Sequence, residues 1–174
     1  MTDTTAAPPR ESTADWLRRV RRDWQAYAAF AALIVAALSP LAGEVEGAVS
    51  LADAPAGWIV LLGAAALIAA ASRGMGAIVA LAVGAHLGAA YALALLPAVA
   101  GRAALGYWAL LIGAWLLAWL LVARLAELRP RHPLGRLARS VAAPLIFGIW
   151  LLILWEILVR ALGVLPVILP APSM

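Results

Sequence analysis

The sequence predicts an all-α fold, a polytopic membrane helix bundle of about five transmembrane helices, and three observations carry that prediction. First, 66% of the 174 residues are hydrophobic and the mean hydropathy is +0.97, well beyond soluble domains, in which roughly half of the residues are apolar. Second, a soluble chain of this length has too much surface for its volume to hide so many apolar side chains. Third, the 13 positive charges, all arginine, flank the apolar runs, which fits lipid headgroups and orientation. That placement also sets aside nucleic acid as a partner, despite a pI of 10.6. With no cysteine, disulfides, thiolate metal sites and cysteine nucleophiles are excluded.

Residues 1–12 are Thr, Ala and Pro with mixed charges and read as a disordered tail. A short amphipathic helix is expected next. Trp16, Val20 and Trp24 fall at i, i+4, i+8 on one stripe, arginines fill the remaining arc, and Ser12 or Thr13 is available as N-cap. As an interfacial anchor or as the basic flank of the first span, this segment (1–23) belongs to the cytoplasmic side.

Residues 24–123 read as a four-helix membrane extension. The first span covers 25–42, with Trp24 and Tyr27 at headgroup level and Ser39-Pro40 ending or kinking it. The loop 43–54 carries Glu44, Glu46 and Asp53 and no base. It reads as a solvated external loop, since the acids match no calcium-loop spacing. A second span, 55–71, opens on Pro55, where a helix tolerates proline, and Ser72-Arg73-Gly74 makes a tight turn on the inner side. The third span, 75–98, contains Gly84-Ala85-His86-Leu87-Gly88, a small-xxx-small pattern that admits another helix at close range, with Ala80 extending the face. His86 is the one histidine inside a span. It is a candidate proton relay or metal ligand. No second ligand stands at metal spacing, so a hydrogen bond to a neighbouring helix accounts for it as well, and no metal is expected.

Residues 97–102 read as a short external turn. The fourth span, 103–123, carries Tyr107 and Trp108 near one end and Trp115 and Trp119 on one face. Aromatic residues at helical spacing are usually packing or lipid contacts; a pigment or quinone site is the sharper alternative, and no cofactor is assigned. A basic cytoplasmic loop is expected over 124–141, with Arg124, Arg129, Arg131, Arg136 and Arg139 against Glu127, and Pro130 and Pro133 breaking any helix around His132. The final segment, 142–174, is one more span followed by a proline-rich external tail. The run 142–158 is about long enough to cross a bilayer core. It carries Trp155 and Glu156, and Arg160 follows one turn after the acid, the favourable order for an i, i+4 pair. Pro166, Pro170 and Pro172 then forbid helix.

The stretch from Leu154 through Trp155, Glu156, Arg160, Pro166, Leu169, Pro170 and Pro172 to Ser173 resembles the opening of the permease subunit of nitrate/sulfonate/taurine-type ABC importers. In that family the first core helix carries a Trp-Glu pair near its outer end, and a Leu-Pro-x-Pro-Ser segment leads to the next helix. The resemblance covers roughly the last thirty residues. It implies a multi-pass protein of the bacterial inner membrane, with its N-terminus cytoplasmic and its proline tail periplasmic. It implies partners too: an ATP-binding subunit, a periplasmic solute-binding protein that delivers a small anion, and a permease dimer. The family's later core helices and its ATPase-coupling loop are not among these residues, and no Walker-type phosphate loop occurs. No catalytic residue is therefore assigned. Two other readings stay open: a stand-alone accessory protein packed against a larger membrane complex, and the small membrane subunit of a secondary transporter. Under the first of these, Gly84, Gly88, Trp115 and Trp119 become contacts to a partner.

Overall fold

The computed structural model describes residues 24–43, 57–72, 74–128 and 133–174. The expected amphipathic segment before Trp24 and the acids Glu44, Glu46 and Asp53 lie outside the described residues, as do Arg73, Arg129, Arg131 and His132. Among the described residues five helices follow in order: α1 (Trp24–Leu38), α2 (Gly57–Ala71), α3 (Met75–Val99), α4 (Leu105–Glu127) and α5 (Pro133–Ala161). The protein is all-α. Three helices are long and apolar enough to cross a membrane: α3, α4 and the part of α5 from Ser140 to Ala161. With 15 residues each, α1 and α2 measure about 22 Å at 1.5 Å per residue, short of the bilayer's hydrocarbon core.

The helix ends depart from the sequence expectation in three places, each for a local reason. Ser39-Pro40 ends α1 as expected, but already at Leu38, so residues 39–42 of the expected span are not helical. Pro97 does not open a turn; it sits inside the last turn of α3, with only two helical residues after it, so little helix remains for it to disturb. The Ala100 N–H still reaches Leu96 O at 2.9 Å. The basic segment 124–141 is mostly helix. Arg124 belongs to the last turn of α4, and α5 starts at Pro133, a first-turn position where the missing N–H costs nothing. Only residues 128–132 separate the two helices.

Helix α4 is the axle. Of its most apolar 18 residues 61% are buried, against 39% for α3 and 17% for α5. Its two broadest faces lie on α1 and α3, both antiparallel to it, and α2 packs on α1 and α3. Small residues make this close packing possible. A Cβ on Gly84 would lie 2.7 Å from Ala65 Cβ of α2, and one on Gly88 2.8 Å from Ala114 Cβ of α4. The Gly84/Gly88 face therefore points into the bundle, flanked by the buried Ala77, Leu81 and Ala92, while Ala80 is only half-buried. Arg124 is buried as well, with Nη2 3.5 Å from Ala69 O near the end of α2 and Nη1 3.9 Å from Glu127. A guanidinium there meets the negative end of the α2 dipole, which explains why this arginine is not in a solvated loop.

Replacing Gly84 or Gly88 with Leu is expected to lower the melting temperature in detergent, by the equivalent of about 1–3 kcal/mol of overpacking. Gly148→Leu serves as control, because a Cβ there meets nothing within 4 Å. Equal melting temperatures for all three variants would contradict the packing described.

Candidate functional site

The residues that the sequence marks at its end are assembled at the C-terminal end of α5. Glu156 is buried; its side chain is 11% exposed, whereas that of Arg160 is 44% exposed. Arg160 Nη1 donates to Glu156 Oε1 at 3.0 Å. The carboxylate has a second partner that spacing alone does not reveal. The tail doubles back, so that the Ser173 backbone N–H donates to Glu156 Oε2 at 3.1 Å and the Ser173 hydroxyl to Oε1 at 2.7 Å. A carboxylate holding three donors is the usual way to make a buried acid tolerable. Trp155 is partly exposed next to it. With Leu151, Leu158, Val164 and Leu169 it lines an apolar groove of about 340 Å³ between α5 and the tail.

Two glycines set up the reversal. Gly163 adopts φ +67° and closes α5 in a Schellman motif: Val164 N–H bonds Val159 O at 2.9 Å, and Gly163 N–H bonds Arg160 O at 3.2 Å. Gly101, at φ +68° in the α3–α4 turn, donates its N–H to Ala161 O at 3.0 Å. A Cβ on Gly163 would stand 3.2 Å from Gly101 Cα, so two backbones meet where no side chain fits. The same turn pairs with the chain leaving α1: Gly43 N–H to Arg102 O at 2.8 Å, Ala104 N–H to Leu41 O at 3.0 Å and Gly106 N–H to Pro40 O at 2.9 Å. The ends of α1, α3, α4 and α5 are thereby joined by backbone hydrogen bonds. Beneath them the buried Tyr107 donates its hydroxyl to Ala92 O at 2.9 Å.

The other marked residues stand elsewhere. Trp115 and Trp119 do not act as a pair. Trp115 packs on Phe147 and Trp150 of α5, with centroids 6.4 and 5.9 Å away, while Trp119 meets Trp24 of α1 edge-on at 6.1 Å. Both line an apolar cleft of about 470 Å³ between α4 and α5. The buried Trp150 Nε1–H has no acceptor among the described residues. One shielded indole donor is too little polar equipment to orient a small-molecule ligand, which needs several convergent groups. His86 faces outward, and its Nδ1 lies 2.7 Å from Ala82 O, so it donates to its own helix rather than to a neighbouring one. Among the described residues no three His, Cys, Asp or Glu side chains are placed to hold a metal ion.

Ser173 entered the sequence reading only as part of the tail pattern, and Gly101, Gly106 and Gly163 not at all. Gly163 was the most accessible of them, since a glycine just beyond a basic last turn is a helix C-terminal signal. Comparisons with protein-family models, with curated proteins and with solved structures find no match.

The geometry predicts an ordered set of effects. Arg160→Gln removes an exposed partner and costs about 0–1 kcal/mol. Glu156→Gln weakens bonds to two residues and costs more, about 1–3 kcal/mol. Its effect persists when Arg160 is already Gln, because Ser173 is still in place. A double-mutant cycle read by melting temperature checks this; damage from Glu156→Gln that vanishes in the Arg160→Gln background would leave the tail contact without energetic weight.

Proposed function

We propose that this chain forms the membrane-embedded amino-terminal part of an ABC importer permease subunit for small anionic solutes of the nitrate, sulfonate or taurine kind. In this reading α5 is the first core helix and α1–α4 are an added unit that braces it. The observation that carries the reading is the contact between Glu156 and Ser173. The Trp-Glu pair and the Leu-Pro-x-Pro-Ser segment are the two halves of the family-like pattern, and they meet through the side chains that define them. A pattern whose halves touch has a physical reason to occur as a unit. The sparse cover on α5 also fits a helix that presents a face to further transmembrane helices, with Leu145, Ile149 and Leu152 turned outward.

The chain then lies in the bacterial inner membrane, N-terminus in the cytoplasm and proline tail in the periplasm. A periplasmic solute-binding protein delivers the anion, and an ATP-binding subunit on the cytoplasmic side drives the cycle. The role of this piece is anchoring and positioning. Its buried carboxylate is already paired with the Arg160 charge and hydrogen-bonded by Ser173 within the chain, so nothing in the cluster calls for proton or group transfer.

The test is purification of the tagged chain from its native membranes in mild detergent, followed by identification of what stays bound. Co-purification of the remaining permease core helices together with a nucleotide-binding ATPase in stoichiometric amount is the expected result. Recovery of the chain alone, or with a complex that has no ATP-binding subunit, overturns the proposal and favours the accessory protein.

A further inference from the structure

We infer that the tail loop, residues 165–169, is an interfacial membrane contact, dipped into the headgroup region of the bilayer and held at that depth by the Glu156–Ser173 clasp. This inference does not rest on the importer reading.

Depth is the first argument. Glu156 lies inside the membrane-length part of α5, Ser140–Ala161, about 7 Å short of the helix end at 1.5 Å per residue. Because Ser173 is bonded to that carboxylate through both its N–H and its hydroxyl, the tail cannot stand away from the membrane. Having left α5 at Gly163, it must come back down beside the last turns of a spanning helix.

Chemistry is the second. Residues 161–174 carry no charged side chain, and in the loop Val167 is 89% exposed, Ile168 71% and Leu165 61%. These continue the outward apolar surface of α5, formed by Leu151, Trp155 and Leu158. On a helix of membrane length such an uncharged outward surface suits lipid, and the loop extends it. Trp155, half in and half out, suits the same headgroup level.

The backbone is the third. A loop entering a region poor in water must not bring unpaired N–H groups with it. Pro166, Pro170 and Pro172 have none to bring. Of the ten N–H groups in residues 162–174, at least seven are bonded: those of Leu162, Gly163, Val164, Ile168, Leu169, Ser173 and Met174. Within 165–169 Pro166 has no N–H and those of Ile168 and Leu169 are bonded, which lessens the backbone's need for water.

The chain has no cysteine, so Ile168→Cys and Val167→Cys each take a single environment-sensitive NBD label in the full protein. Purified protein is reconstituted in phosphatidylcholine vesicles, and emission is compared with the glutathione adduct of the same dye in buffer. The expected result at both positions is a blue-shifted emission, weak quenching by aqueous iodide and strong quenching by lipids spin-labelled near the headgroup. Emission and iodide quenching equal to the glutathione adduct would overturn the inference, because the loop would be in water. Protection from iodide with no lipid quenching would overturn it too, because protein would then cover the loop. The clasp is tested by adding Glu156→Gln to the labelled Ile168→Cys chain. Iodide access should rise; unchanged access would show that the loop keeps its depth without the clasp, against that half of the inference.

Discussion

An acid buried near the end of an apolar helix has to be supplied with hydrogen bonds, and the architecture at the α5 end follows from how Glu156 is supplied. One donor is the arginine a turn later, whose side chain is long enough to stay half-exposed while reaching back. The other two come from Ser173, seventeen residues on, and they dictate the course of the chain between. To bring Ser173 back, α5 must end abruptly and the tail must turn, which requires the positive φ of Gly163 and the prolines that keep the return path from continuing as helix. Losing the carboxylate would leave the tail without a polar reason to return.

That reversal is shared with the rest of the bundle through backbone rather than side chains. Gly163 abuts Gly101, whose N–H bonds the last turn of α5, while the neighbouring residues of the same turn pair with the chain leaving α1. Gly106 closes this arrangement, since a Cβ there would come within 2.7 Å of Pro40 O. Close approach of backbones is the economical way to join helices where lipid offers no hydrophobic driving force between them. The same device recurs at mid-helix, where Gly84 and Gly88 let α2 and α4 come near α3. Helix α5 is tied to the bundle at its end and by aromatic contacts of Trp150 and Phe147 with Trp115, and otherwise shows its apolar side outward.

The helical class was legible because membrane helices announce themselves through length and apolar composition. So was the inward face of Gly84 and Gly88, because small residues at four-residue spacing have few other uses in a span. The helix ends were read less well. Pro97 and Arg124 look by residue type like turn and loop positions, and both are helical: Pro97 stands two residues from the end of α3, where little helix remains to disturb, and Arg124 meets the negative end of the α2 dipole. The Glu156–Arg160 pair was visible as a four-residue spacing. Its link to Ser173 was not, because no periodicity connects a helix to an irregular tail. Nor did spacing show that Trp115 and Trp119 serve different neighbours; about 100° per residue puts both on one side of α4, but each reaches a different helix.

The central claim is that the tail is fastened to the helix by the Glu156 carboxylate, and the most direct measurement is hydrogen exchange at the Ser173 amide in detergent-solubilised protein. The account predicts that this N–H, bonded to Oε2, is protected and that the protection is lost in Glu156→Ala. Exchange of Ser173 at the rate of an unstructured amide in the unmodified protein would contradict it.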